Sequence, residues 1–120
     1  MVKTVFGSSH VPLSPAVRAG DFVYISGQVP VKNGKVVEGD VSIQTKVVME
    51  NVAAALKLAD CELSDVIKTF VILTDKNDFS AFNAVYATFF PNQPPARTTA
   101  EAGLMVDITV EIEAIAYKPV

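Results

Sequence analysis

Only two arginines occur in this 120-residue chain, Arg18 and Arg97, against eight lysines. Arg97 follows Pro94-Pro95-Ala96, a stretch whose restricted backbone aims the side chain. A guanidinium on a stiff segment suits a bidentate clamp on a carboxylate or phosphate, a task lysine performs less well. Glu111 and Glu113 lie two residues apart, hence on one face of a strand and roughly 7 Å apart along it. Such a pair could do acid–base work or hold an activated water. Plainer readings stand beside these: a surface or interface arginine, and the solvated outer face of a half-buried strand.

The remaining reactive side chains are sparse. The lone cysteine, Cys61, follows Ala59-Asp60 at the end of an expected helix and cannot form an internal disulfide. His10, in Ser-Ser-His-Val-Pro, would have to serve any Ser-His-Asp chemistry, and a solvated histidine explains it more simply. The spacings of a zinc site, a phosphate loop or a dinucleotide fingerprint do not occur, so an enzyme of this sequence would work without most of the usual equipment. Phe79, Phe82, Tyr86, Phe89 and Phe90 read as packing residues rather than a ligand box.

Composition narrows the class. Half the residues are apolar, 19% are charged and the mean hydropathy is +0.35, which excludes a disordered chain. Residues 1–120 fit a single domain, apolar enough to suggest that part of its surface is covered by another subunit. The net charge of −3, with cations scattered rather than clustered, disfavours nucleic acid as a partner. No stretch is long and apolar enough for a membrane span, and the N-terminus lacks the pattern of a secretory signal. A cytoplasmic location is the resulting expectation.

These residues must be positioned by strands and helices whose pattern is readable. Val17–Arg18 and Phe22–Ile25 read as strands around Ala19-Gly20-Asp21, followed by an extended piece from Gln28 to Val31. Gly27, inside strand-like sequence, suggests a bulge or a close backbone approach, and Asn33-Gly34 a tight turn. Ile43, Val47, Val48, Val52, Ala55, Leu56 and Leu58 have helical spacing over residues 42–59, with Asp40 or Ser42 as cap. Residues 66–74 form a β-branched strand, and Asp78 is expected to cap a second helix carrying the aromatic residues. Residues 109–117 alternate, with Val110, Ile112, Ala114 and Ala116 on one face and Thr109, Glu111, Glu113 and Ile115 on the other. The order strands-helix-strand-helix-strands predicts a two-layer α+β domain, a mixed β-sheet with two helices packed on one face.

Four segments carry a family resemblance: ISGQVPV (25–31), MENVAAAL (49–56), PPARTT (94–99) and VEIEAIA (110–116). Together, in this order, they strongly resemble the Rid family, the RidA/YjgF-like reactive-intermediate (enamine/imine) deaminases. The resemblance implies a chorismate-mutase-like α+β fold, a homotrimer with active sites in inter-subunit clefts, and no metal or cofactor. It implies hydrolysis of 2-enamino or 2-imino acids, such as 2-aminoacrylate, to 2-keto acids and ammonia. By matched position, Arg97 would clamp the substrate carboxylate and Glu111 would position or activate water. Ser26, Gly27 and Thr99 would complete the pocket.

The chain departs from the usual pattern at Leu13, where many members have tyrosine, and at Thr99, where a cysteine is common. The loop before Pro95 is shorter, and EAGLMVDIT lacks the usual leucine-proline pair. These changes bear on which imine is preferred. A non-catalytic trimeric binding protein for small carboxylate metabolites is the competing expectation. A ribonuclease or translation-related role, attached to some relatives, fits the acidic composition less well.

Overall fold

A computed structural model of the chain describes residues 2–120 as strands and helices in the expected order. The strands are β1 (Thr4–Phe6), β2 (Ala16–Ala19), β3 (Phe22–Gln28), β4 (Val31–Lys32), β5 (Lys35–Val36), β6 (Val66–Leu73), β7 (Ala96–Glu101) and β8 (Val110–Tyr117). Helix α1 (Val41–Leu58) lies between β5 and β6, and α2 (Phe79–Phe89) between β6 and β7. Six strands make one mixed sheet in the order β1-β2-β3-β8-β6-β7. Its one parallel pair, β6 with β7, is the pair that α2 connects, as a helical crossover requires. The β4–β5 ribbon turns through Asn33 and Gly34, with φ of 52° and 77°, the left-handed conformations that the Asn-Gly pair accepts most readily.

Both helices cover the same face. Val23 and Ile25 of β3, Thr69, Val71 and Leu73 of β6, and Val110, Ile112, Ala114 and Ala116 of β8 are buried there. Above them lie Val48, Met49, Val52 and Leu56 of α1, and Phe82 and Tyr86 of α2. The alternation read for the last strand therefore matches its burial. Among the described residues, no helix is long and apolar enough to cross a membrane.

Several local expectations need correction. Asp40 does cap α1, accepting from the Ile43 amide at 3.0 Å, but Asp78 makes no side-chain cap to α2. A short 3₁₀ turn precedes α2 instead, and Asp75 caps that turn by accepting from the Asn77 amide at 2.9 Å. The extended piece expected at 28–31 is divided between the end of β3 and the start of β4. Ile43 and Leu58, expected on the buried stripe, are half exposed. Two strands lie in stretches to which the sequence pattern assigns no element: β1, which pairs with β2, and β7, which carries Arg97 along the opposite edge.

Polar Gln44 takes a core place on α1 that periodicity would reserve for an apolar residue. It is 4% exposed, and its amide nitrogen donates to the Val37 carbonyl at 2.8 Å. Its carbonyl oxygen accepts from the Thr109 amide at 2.8 Å and the Thr109 hydroxyl at 2.6 Å. One side chain thus ties α1 to the segment after β5 and to the residue that leads into β8, two positions before Glu111. Replacing Gln44 by leucine leaves these partners without a match, and orphaned polar groups of this kind cost about 1–3 kcal/mol each. We expect Gln44→Leu to lower the melting temperature by roughly 5–10 °C in calorimetry, with the helical circular dichroism retained.

Candidate functional site

The residues expected to do chemistry fall into two groups on opposite faces of the sheet. On edge strand β7, Arg97 is in register with Thr69 and Thr99 with Val71, both buried beneath the helices. Arg97 and Thr99 accordingly point to the helix face. On β8, Glu111 is in register with Ile72 and lies between buried Val110 and Ile112, so it points to the uncovered face. Ile72 also pairs with Ala100, which places Arg97 and Glu111 two strands and three residues apart. Strand spacing and rise put their Cα atoms roughly 14 Å from each other, with the sheet between their side chains.

Arg97 sits under α2 with its guanidinium carbon 4.9 Å from the ring centre of Tyr86, 5.4 Å from Phe82 and 5.7 Å from Phe79. Helical spacing of these three residues brings their rings over one edge of the sheet. Each cation–aromatic contact is worth about 0.5–2 kcal/mol, more where water is excluded. Ion pairs join Lys32 to Glu50 and Lys118 to Asp65, but among the described residues none involves Arg97. The other arginine is tied to the backbone by contrast: one Arg18 nitrogen donates to the carbonyls of Gly20 and Lys118 at 3.0 and 2.8 Å. Arg97 borders an open cavity of about 450 Å³ with Asn83, Tyr86, Ala87, Phe90, Pro94 and Pro95. Thr99 borders a neighbouring one of about 360 Å³ beside Phe79.

On the uncovered face, Glu111 rests against Gly27. The β3–β8 register slips between Ile25 and Gln28, which is the irregularity that the glycine suggested. A Cβ placed on Gly27 would lie 2.5 Å from Glu111 Oε2, so only a glycine leaves room for the carboxylate as it stands. Ser26 holds the chain entering β2: its hydroxyl donates to the Ser14 carbonyl at 2.6 Å and its amide to that of Pro15 at 3.1 Å. Burial, followed by the nearby Glu113 charge, pushes the Glu111 carboxyl above the ordinary glutamate range.

Other candidates are set apart. His10 is exposed, and Cys61 is buried with its thiol 3.5 Å from the Ala59 carbonyl. Burial is the main cause that raises the thiol above its usual range, which suits an inert side chain rather than a nucleophile. Among the described residues, no three His, Cys, Asp or Glu side chains group as metal ligands. Sequence reasoning missed Thr69, whose hydroxyl lies 2.7 Å from the Tyr86 hydroxyl under Arg97. A threonine in a run of apolar strand residues was the available signal.

A sheet backed by two helices on one face, with a guanidinium at its edge and a carboxylate on its open side, defines an α+β protein of the Rid type. The sequence model described as Endoribonuclease L-PSP matches residues 7–118, and the chain belongs to that family, the YjgF/RidA (Rid) family. It is 48% identical over 110 residues to a RutC family protein of Pyrococcus horikoshii, covering 89% of this chain and 87% of that one. It is 42% identical to the mouse 2-iminobutanoate/2-iminopropanoate deaminase, covering 89% and 82%. The fold superposes on the crystal structure of Escherichia coli TdcF with bound serine at a TM-score of 0.89, with 34% identity and coverage of 96% and 98%.

The raised Glu111 carboxyl has a direct check. The folded chain holds this proton more tightly than the unfolded chain does, so the group costs stability as pH rises from its unfolded value through its folded one. Below that interval it has no effect. In a carbon-13 NMR titration Glu111 is expected to titrate above the ordinary glutamate range, and Glu113→Gln to bring its midpoint down. An unmoved midpoint in that variant would remove Glu113 as a cause.

Proposed function

We propose that this protein is a deaminase that hydrolyses 2-enamino and 2-imino acids, such as 2-aminoacrylate, to 2-keto acids and ammonia. The observation that carries the reading is Arg97: a guanidinium with no carboxylate partner among the described residues, held at the edge of a cavity by aromatic side chains. A small substrate carboxylate supplies the missing charge and fits the bidentate fork. Family membership and the similarity to a mouse protein named as such a deaminase support the same chemistry.

The reaction asks little of the protein. In the imine form of the substrate the carbon bonded to nitrogen is already electrophilic. Glu111, as carboxylate, accepts a proton from water while the water oxygen bonds to that carbon of the protonated imine and the C=N electron pair moves to nitrogen, which becomes a neutral amine. The resulting carbinolamine loses ammonia once its nitrogen is protonated, and loss of the hydroxyl proton leaves the keto group. Orientation by Arg97 and a placed water supply most of the advantage, and no step calls for the histidine or cysteine.

A small imino acid cannot reach Arg97 and Glu111 of one protomer, which face opposite ways roughly 14 Å apart. We therefore place the site between copies, Arg97 and Thr99 from one and Glu111, Gly27 and Ser26 from the next, in a homotrimer. The uncovered sheet face supports this assembly. It presents Phe22, Tyr24 and Tyr117, each 39–48% exposed, together with Ile72 and Ile115. Exposed apolar surface of this kind is what a subunit interface covers. The same central strands set Ile72 against Glu111 and Phe70 against Glu113, a poor footing for the phosphate backbone that the family model's ribonuclease description would require.

The decisive experiment generates 2-aminoacrylate and 2-iminobutanoate in situ and follows keto-acid release above the spontaneous rate. Wild-type protein is expected to accelerate release, Arg97→Ala to lose at least about a hundredfold in kcat/KM, and Arg97→Lys to recover only a small part. Equal rates for wild type and Arg97→Ala would overturn the proposal, and tight carboxylate binding without turnover would favour the non-catalytic binding protein. Separately, light scattering should give a mass near three times 12.8 kDa, and a fully active monomer would exclude a shared site.

A further inference from the structure

The deaminase reading leaves open how Arg97 keeps its aim. Most partly buried arginines are held by carboxylates or carbonyls, which neutralise the charge but occupy the N–H groups, as the two carbonyls bound by Arg18 illustrate. Arg97 is held by aromatic side chains instead, and Tyr86 reaches it with its hydroxyl as well as its ring face. Tyr86 is nearest, at 4.9 Å, and is itself fixed on both sides: its ring packs against Phe82 and Phe90 at centroid distances of 5.3 and 4.9 Å. Its hydroxyl meets that of Thr69 at 2.7 Å in the core. Thr69 is wholly buried on β6 and stands in register with Arg97 on β7. One strand position thus anchors the ring, and its neighbour on the next strand carries the arginine that the ring supports.

We infer that Tyr86, anchored by Thr69, is a positioning residue that holds the Arg97 guanidinium through its ring face and its hydroxyl and so keeps the fork aimed at a substrate carboxylate. The inference deepens the deaminase reading and rests on Arg97 being the clamp. Tyr86 touches no reacting atom. Its role is in how firmly the substrate is seized, so loosening it affects binding in the ground and transition states alike.

That separates it from a residue needed only for folding. Tyr86→Phe keeps the ring and removes the anchor, and Thr69→Val removes the same anchor from the other side. With 2-iminobutanoate, each is expected to raise KM by about 3–10-fold while kcat stays within about twofold of wild type. The double variant should be no worse than either single one, because both changes break one interaction. Phe79→Leu, at a half-exposed ring that can be altered without opening the core, should shift KM in the same direction by about 2–4-fold.

Arg97→Ala, assayed alongside, tells the two ideas apart. If it destroys activity while Tyr86→Phe, Thr69→Val and Phe79→Leu keep wild-type KM, the positioning role is overturned and the clamp stands. Additive KM effects in the double variant, or losses confined to kcat, overturn it as well. If Arg97→Ala retains full activity, the clamp falls and the positioning role with it. Should the two core variants fail to fold, an unchanged KM in Phe79→Leu suffices to overturn it.

Discussion

A β-strand turns successive side chains to opposite faces, and in this protein that alternation separates the work of the two faces. Along β8, Val110, Ile112, Ala114 and Ala116 go under the helices, which leaves Glu111, Glu113, Ile115 and Tyr117 on the other side. Covering one face with both helices satisfies the core, and the second face is left apolar around an acidic pair. The chain therefore folds around one layer and leaves the other uncovered. The division also governs the chemistry, because the guanidinium and the carboxylate of the proposed reaction are assigned to different faces.

Each half of the proposed site is supported by a different kind of contact. Glu111 needs space beside a backbone, and the bulge at Gly27 provides it because no side chain stands in the way. Arg97 needs its charge compensated without a carboxylate across the fork, and the aromatic side chains of α2 meet that need. Tyr86 carries an energetic tension of its own. Burial raises its phenol above the usual range, partly offset by the Thr69 hydrogen bond and by the charge and hydrogen bond of Arg97. The hydroxyl thus remains neutral and hydrogen-bonded in the core, where an ionised one would be costly.

Much of the fold was legible because local signals agreed with the tertiary outcome. Asn33-Gly34 formed its tight turn, Asp40 its cap, and Gly27 its bulge. The misses share a cause. Strands β1 and β7 lie at the edges of the sheet, pair on one side only and need no apolar run, so TVF and ARTTAE carry little strand signal. Asp78 looked like a cap from its place before an aromatic helix, but a turn begun at Asp75 had already taken that role. Gln44 defeated periodicity because its three hydrogen bonds let a polar side chain occupy a buried position.

The sequence by itself determined the two-layer class, the family, and which residues were candidates for chemistry. Those properties follow from periodicity and from short motifs, both of which are local along the chain. Only the tertiary structure decided where the candidates stand relative to one another. Arg97 and Glu111 are fourteen residues apart in sequence, and their separation across the sheet depends on β6 lying between β7 and β8. The pairing of Thr69 with Tyr86 beneath Arg97 is likewise a matter of strand register and helix docking. Non-local packing sets both, so neither can be read from the spacing of residues along the chain.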